Sequence, residues 1–419
     1  MSTISDRLGV LDDPAAEFLR LACLTYGDSD DPQRWAEADA LIAGQPGLRR
    51  GNIHVATACA DVEEVARLLA TDPSLAGVEG GPHRWPPLLY LAYGRHDRTA
   101  TEGAVLATAK VLLDHGADPN AGYLWHGMPS PFTLLTGAFG NGELGVHRQP
   151  AHPHGQALAR LFLEAGADPN DAQTLYNRMF EPNDDHLELL FEFGLGSGDG
   201  GPWRRRLGDA AQSPTAMLLG QLSWAVTHGF THRISLLADH GVDLDAALDG
   251  FGSHGETAHE SALTSGQFEA AALLVSLGAR ASSLTPEEQV LAAVLAADRV
   301  SVARLEAADP DVVARARVRR PGLVVWAAVK PSLDAVRLAV ELGWDVSRRA
   351  RTDVPSDQEW ETALHQAAAN GELELAELLL ALGADPDVHD HRFDATPLGW
   401  AQHFEQPELV SLLEPLTQA

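Results

Sequence analysis

The thirty residues from 361 to 390, ETALHQAAANGELELAELLLALGADPDVHD, constrain the fold of this chain more than any other stretch. Thr362–His365 stand before an alanine-rich segment, which is interrupted at Gly371. A second apolar segment, Leu373–Leu382, ends at Gly383 and is followed by Ala-Asp-Pro. Glycine supplies the left-handed residue that commonly ends a helix, and proline prevents the helix from continuing. The stretch therefore predicts a helix, a turn and a second helix.

Weaker copies of this stretch recur along the chain. Their most readable landmark is the end of the second helix, an apolar pair followed by Gly-Ala-Asp-Pro, which is clear at 112–120, 162–170 and 378–387. The positions equivalent to Gly383 are 70, 116, 166, 194, 241, 278, 307 and 343. Their spacing varies from 28 residues (166 to 194) to 50 residues (116 to 166), so the longer copies carry insertions.

Four features follow one another in the stretch 361–390: the Thr-x-Leu-His start, the first helix, the second helix and the terminal glycine. In this order it resembles an ankyrin repeat, whose unit is a β-turn and two antiparallel helices with T-P-L-H at the first helix start. The resemblance implies an all-α, ankyrin-like solenoid of about ten stacked helix-turn-helix units. It also implies recognition of another protein far more often than catalysis.

The repeats suggest a division of the chain into three parts. Residues 1–195 are expected to form an N-terminal repeat stack with insertions. Residues 196–214, which are glycine-rich, are expected to form a long loop or a break, with a kink of the solenoid there. Residues 215–419 are expected to form a C-terminal stack that closes with a capping half-repeat.

The composition bears on the class of partner. An apolar fraction of 45% is ordinary for a folded chain. The formal net charge of −29 argues against nucleic acid and anionic membrane surfaces as partners, because both require a basic face. It favours a cationic protein partner, with solubility alone as the plain alternative.

Three observations favour a cytoplasmic protein. No apolar run is long enough to span a bilayer. The start of the chain, MSTISDRLGVLDDP, lacks the apolar core of a secretory signal. The two cysteines, Cys23 and Cys59, have no metal-ligand spacing and lie in apolar helical patterns, where a free thiol behaves as a small buried hydrophobe.

The histidines fall into two groups. His54 and His365 occupy the histidine position of the repeat signature, where the resemblance implies hydrogen bonds to neighbouring loop backbones. The other group, His147, His152 and His154, lies with Arg148 in an insertion at 143–155. Its spacing could supply zinc ligands or acid–base groups, but a plain exposed or partner-contacting loop is favoured. No catalytic residue, metal or cofactor is predicted. The alternative is an enzyme or a small-molecule or metal binder with a closed pocket that joins His126 to these histidines.

Aromatic side chains gather in the loop 122–132 of the fourth unit, which contains Tyr123, Trp125, His126 and Phe132. Trp85 occupies the corresponding loop of the preceding unit. Stacked repeats place such loops side by side, about 10 Å apart, and aromatic anchors carry much of the energy of interfaces. The pattern predicts a groove lined by Trp85, Tyr123, Trp125 and His126. The alternative is that these rings cover the gap left by the insertions.

Trp203 precedes Arg204, Arg205 and Arg206, the sharpest basic spot in an acidic chain. It could bind an anion or an acidic helix, although a salt-bridged loop folded against the acidic body is favoured.

The hypothesis that follows is non-catalytic binding of a protein through the loops and concave face of the N-terminal half, and the charge favours a basic protein. One version is an inhibitor or immunity-type protein that covers a basic toxin or enzyme. No nucleic acid and no membrane are expected as partners. The predicted binding residues are Trp85, Tyr123, Trp125, His126, Phe132, His147, Arg148, His152, His154 and Trp203.

Overall fold

A computed structural model of the chain describes residues 9–96, 99–329 and 332–418. The first eight residues, on which part of the expectation about a secretory signal rests, lie outside these ranges. Residues 97 and 98 lie outside them as well. The chain divides into two compact units, Met1–Gln221 and Leu222–Ala419, which are called here the N-terminal unit and the C-terminal unit.

The N-terminal unit consists of helices and one small hairpin. Its strands are β1 (Gly122–Leu124) and β2 (Pro131–Thr133). Its helices are α1 (Pro14–Ala22), α2 (Pro32–Gly44), α3 (Ile53–Ala58), α4 (Val62–Thr71), α5 (Pro87–Ala92), α6 (Glu102–Asp114), α7 (Leu134–Phe139), α8 (Gly145–Arg148), α9 (Gly155–Glu164), α10 (Ala172–Arg178), α11 (Asp185–Glu192) and α12 (Gly201–Leu207).

Helix α13 (Pro214–His228) contains the boundary between the units. The C-terminal unit has one hairpin, β3 (Asp249–Gly250) and β4 (Ser253–His254). Its helices are α14 (Thr231–Asp239), α15 (Ala258–Thr264), α16 (Phe268–Ser276), α17 (Pro286–Leu295), α18 (Arg299–Ala308), α19 (Val312–Arg319), α20 (Leu323–Val329), α21 (Leu333–Glu341), α22 (Ala363–Asn370), α23 (Leu373–Ala381), α24 (Pro397–His403) and α25 (Pro407–Leu413).

Most of these helices pack as antiparallel pairs whose first members form a row. In the N-terminal unit, α3 packs against α5, α5 against α7 and α7 against α10. In the C-terminal unit, α22 packs against both α20 and α24. With 57% of the residues helical and little strand, the fold is the predicted all-α, ankyrin-like repeat solenoid.

The regular repeat shows why its sequence folds in this way. Thr362 caps α22, because its hydroxyl accepts the His365 amide while the His365 ring accepts the Thr362 amide. At the other end, Gly383 has a φ of 94°, and the Ala384 amide donates to the Leu379 carbonyl over 2.9 Å. This is a helix end that a residue with a side chain rarely adopts. The predicted landmark is wrong at positions 70 and 307, where alanine stands and the helices continue to Thr71 and Ala308. It is confirmed at the six equivalent glycines, where φ is also positive: Gly116, Gly166, Gly194, Gly241, Gly278 and Gly343.

The glycine-rich segment 196–214 differs from the prediction. It contains helix α12 and a short 3-10 turn, Gly208–Ala210, so its interpretation as one long loop is wrong. The physical reason is Trp203, whose half-buried indole donates a hydrogen bond of 2.9 Å to the Asn120 carbonyl and anchors α12. The expected boundaries at 195 and 214, and a break or kink between them, stay predictions.

The T-P-L-H histidines confirm their predicted role. His54 Nε2 lies 3.0 Å from the Val78 carbonyl, and His365 Nε2 lies 3.0 Å from the Ala395 carbonyl. Because His365 Nδ1 accepts the Thr362 amide, the ring must be neutral with its proton on Nε2. Burial lowers the pKa of His365 to about 4.

That pKa makes stability depend on pH. The unfolded chain, with an ordinary histidine pKa of about 6.5, takes up a proton before the folded chain does. Stability from His365 is therefore fully present above about pH 6.5 and is lost as the pH falls towards 4. At pH 5 the loss is about 2 kcal/mol. Urea unfolding at pH 7 and pH 5 should show that the free energy of unfolding falls more for the parent protein than for His365→Gln. Equal falls would contradict this origin, since the other histidines are common to both proteins.

In the described ranges, no helix is both long and apolar enough to cross a membrane.

Candidate functional site

The N-terminal unit contains a cleft of about 1310 Å³. Its walls come from separate parts of the chain: the segment after α1, the β1–β2 hairpin, the insertion after α7, and helices α10 and α12. Small-molecule pockets usually measure about 300–1,000 Å³, so this one exceeds their range. We call it the aromatic cleft and define it by Tyr26, Asp28, Trp125, His126, Phe132, Glu143, Gln173, Tyr176, Asn177 and Trp203.

The β1–β2 hairpin forms one wall. Tyr123 and Phe132 lie opposite each other in its antiparallel register, and their rings stack with centroids 5.4 Å apart. Such cross-strand aromatic pairs stabilise two-stranded ribbons. The turn between the strands contains His126 with a φ of 47°, in the left-handed region. A non-glycine residue there carries strain of about 1–3 kcal/mol, and such strain often marks functional sites.

Two of the rings predicted to line the groove lie beneath it instead. Trp85 is fully buried and Tyr123 is 2% exposed, and their rings stack with centroids 5.0 Å apart. The two loops do lie side by side as predicted, but this contact turns the rings inward. The prediction that Trp85 and Tyr123 line a groove is therefore wrong. Both fill the space between neighbouring repeats, where contact with a partner would require unpacking.

Helix α10 supplies the floor of the cleft. Gln173, Tyr176 and Asn177 are spaced three and four residues apart, which places them on one helical face. A row of hydrogen bonds joins this face to the hairpin. Ser130 Oγ donates to Gln173 Oε1 over 2.7 Å, and Gln173 Nε2 donates to Asn177 Oδ1 over 2.8 Å. The floor is thus polar between aromatic walls.

A buried carboxylate ties the hairpin to the floor. Asp171, the N-cap of α10, accepts hydrogen bonds from the Thr174 amide over 2.8 Å and from the hydroxyls of Thr133 and Thr136. Burial raises the pKa of Asp171, while the hydrogen bonds, led by that from Thr133, act in the opposite direction. The carboxylate therefore holds α7, β2 and α10 in one arrangement.

The exposed charges of the cleft are mainly acidic. Asp28 and Glu143 are exposed, and the Tyr176 hydroxyl donates to the Glu143 carboxylate. In the described part of the chain, neither carboxylate has a basic side chain at ion-pair distance. Two guanidinium groups lie nearby but donate to backbone carbonyls: Arg148 Nε to Asp30 over 3.0 Å and Arg204 Nη1 to Ala211 over 2.8 Å.

The histidines of the insertion do not join the aromatic cleft. His152 and His154 line a separate cavity of about 20 Å³ together with His96, a space comparable to one water molecule. His154 Nε2 lies 2.8 Å from the Ala100 carbonyl, and His96 Nε2 lies 2.9 Å from the Ala58 carbonyl. Burial lowers the pKa of His152 well below its ordinary value. His147 is exposed on α8 and lines neither cavity.

The closed pocket expected for an enzyme or metal binder, which would join His126 to these histidines, is therefore a wrong prediction. The insertion instead lies against the segment between α5 and α6, where the Ala100 carbonyl is 2.8 Å from His154 Nε2. Among the described residues, no group of three or more His, Cys, Asp or Glu side chains is placed to hold a metal ion.

The remaining predicted residues stand at or near the cleft. Trp125, His126, Phe132 and Trp203 line it. Arg148 lies beside it, and its guanidinium also donates to the Asp28 carbonyl. In the basic run after Trp203, Arg205 pairs with Asp199 over 2.9 Å and Arg206 lies 4.9 Å above the indole of Trp203.

Six of the ten residues that define the cleft were not predicted from the sequence. When the N-caps Asp171 and Thr362 are aligned, three positions that the regular repeat fills with apolar side chains are polar or aromatic here, namely Gln173, Tyr176 and Asn177. That difference was a readable signal. Tyr26 and Glu143 had no such signal in the sequence. They line the cleft only because of the way the N-terminal segment and the insertion fold.

Comparison with protein families adds one finding. Residues 324–380, which include α21 and α22, match the family model described as ankyrin repeats (many copies). No curated protein matches the chain. The match, together with the stacked helix pairs on both sides of it, supports an ankyrin-repeat protein.

Proposed function

We propose that the aromatic cleft binds a segment of a partner protein. Ankyrin repeats generally serve as protein–protein interaction modules. The observation that carries the proposal is the cleft itself, which is larger than most small-molecule pockets and is lined by Trp125, Phe132, Tyr176 and Trp203. Tyrosine and tryptophan are enriched among the side chains that dominate binding energy at interfaces.

The charge supports a cationic partner. The chain carries a net charge of −29, and Asp28 and Glu143 stand at the cleft with no basic side chain of the described residues at ion-pair distance. An excess of one charge speeds the approach of the opposite charge and discriminates against like-charged proteins. An inhibitor or immunity-type protein that covers a basic enzyme or toxin in the cytoplasm is the specific form of this proposal.

A photo-crosslinking experiment tests the location of the site. Benzoylphenylalanine replaces either Met128, which lines the cleft and is 44% exposed, or Val78, which is 39% exposed in the same unit but does not line it. In cells that produce the protein, irradiation should attach one defined partner through position 128 and not through position 78. The partner is identified by mass spectrometry.

The crosslinked partner must then bind the purified protein in a separate measurement. Equal attachment through both positions, or attachment through position 78 alone, would place the binding surface elsewhere and contradict the proposal.

A further inference from the structure

We propose that the occupant of the aromatic cleft is a linear basic segment: an extended stretch of polypeptide whose arginine or lysine side chain lies beside Tyr176 and the carboxylates of Glu143 and Asp28. This inference rests on the proposed function and specifies the partner that the same site takes. A folded basic surface is the competing occupant.

The polar floor of the cleft suits an exposed backbone. An extended segment carries an amide donor and a carbonyl acceptor on nearly every residue, and these groups need partners once water is displaced. Gln173 and Asn177 are 8% and 3% exposed and line the cleft. Side-chain amides both donate and accept, so they match peptide groups of any sequence.

One donor of this floor lacks a well-formed hydrogen bond. Within the described ranges, Asn177 Nδ2 has only the Tyr26 phenol close by, outside good hydrogen-bond geometry. A buried donor without an acceptor costs about 1–3 kcal/mol. A small shift of the Asn177 side chain towards the cleft would let a carbonyl of the occupant accept this hydrogen bond.

The charge and the rings define what the side chain of the occupant should be. Glu143 and Asp28 present carboxylates with no basic partner in the described ranges, and Trp125 and Tyr176 present aromatic rings in the same cavity. Cations bind aromatic faces, and the contact strengthens when water is excluded. The nearby guanidinium groups of Arg148 and Arg204 are occupied by backbone carbonyls. The space beside Tyr176 therefore favours an added cation.

The test begins with a display library of random peptides about ten residues long, which span about 33 Å when extended. The library is selected on the full-length protein and counter-selected on its Trp125→Ala variant. The enriched peptides should share one arginine or lysine. The best arginine peptide and its citrulline analogue, which has nearly the same shape but no charge, are then measured by fluorescence anisotropy.

We expect citrulline to weaken binding about tenfold or more, because a close charge pair at an interface is lost. Glu143→Gln should weaken the arginine peptide about five- to tenfold. Glu164→Gln, which changes an exposed acid of the same unit outside the cleft, should change it less than about twofold. Thermal melts of both variants confirm that the fold is retained.

The two changes should also be coupled. If Glu143 meets the cation directly, Glu143→Gln should have little effect on the citrulline peptide, because the interaction is already absent. Independent losses would show that the carboxylate acts elsewhere and would overturn the assignment of the cation to this place.

Other outcomes separate this inference from the proposed function. Enriched peptides without a basic residue that still require Trp125 would overturn the basic preference and leave the cleft as a binding site. Failure to enrich any peptide, while position 128 attaches a folded partner, would overturn the linear segment alone. Failure of both experiments would overturn both proposals.

Discussion

Replacing Arg95 by methionine is expected to lower the free energy of unfolding of the N-terminal unit by about 3–5 kcal/mol. Arg95 is 3% exposed. Its guanidinium donates to the carbonyls of Pro150 over 2.8 Å, Gly137 over 2.6 Å, Ala92 over 3.0 Å and Gly94 over 2.9 Å. Burial lowers the pKa of Arg95, but an arginine stays charged at any physiological pH.

Methionine fills much of the same volume and cannot donate, so the carbonyls lose their partner. Each buried acceptor left unpaired costs about 1–3 kcal/mol, and partial relaxation keeps the total below the sum. The contacts join α5, α7 and the insertion, so the loss should be felt between the third and fourth repeats. Hydrogen exchange with mass spectrometry should show weaker protection of peptides that cover residues 131–150, with the C-terminal unit as internal reference.

Arg160→Met is the matched control for Arg95→Met. Arg160 pairs with Glu192 over 2.8 Å, and its side chain is 45% exposed. Water can therefore replace the contact that Glu192 loses. Its removal should cost less than about 1 kcal/mol. If Arg95→Met were no more costly than Arg160→Met, the buried guanidinium would not be what holds the insertion.

Truncation of Trp85 to alanine is expected to cost about 3–5 kcal/mol. The indole is fully buried and contacts the rings of His83, Tyr90, Tyr93 and Tyr123 at centroid distances of 4.6, 5.3, 5.1 and 5.0 Å. Alanine would leave a cavity between two repeats that the surrounding rings close only in part.

Trp85→Phe is the matched comparison. The indole nitrogen has no hydrogen-bond partner among the residues that the structure describes, so phenylalanine removes volume and none of the described polar contacts. It should cost about 1–2 kcal/mol. Urea unfolding of the three proteins tests the order. A Trp85→Ala protein of normal stability with weaker partner binding would show the indole to be a contact residue, as the sequence suggested.

The regular parts of the fold were predictable because they depend on local chemistry. Thr362 and Gly383 cap and end helices through bonds to residues three to five positions away, and the same signals recur in the weaker repeats. Trp125 and Phe132 were predicted for a similar reason, because aromatic residues between glycines and prolines indicate a functional loop.

The parts that were not predicted depend on distant contacts. The path of the insertion is fixed by Arg95 and Arg148, whose donors reach backbone carbonyls that have no sequence signature. The burial of Trp85 depends on the ring of Tyr123, 38 positions later in the chain. Helix α12 forms in a glycine-rich segment because Trp203 finds a distant acceptor. None of these partners can be read from spacing or periodicity.

The buried carboxylate of Asp171 lowers the entropy cost of binding at the cleft. Because it holds the hairpin and α10 together through hydroxyl and amide donors, these walls of the cleft are ordered before the occupant binds. The conformational entropy of that surface is lost when the protein folds, so only the occupant has to be ordered on binding. Making the bound segment rigid, for example by cyclisation in its extended form, should therefore raise its affinity for the cleft more than making the cleft itself more rigid.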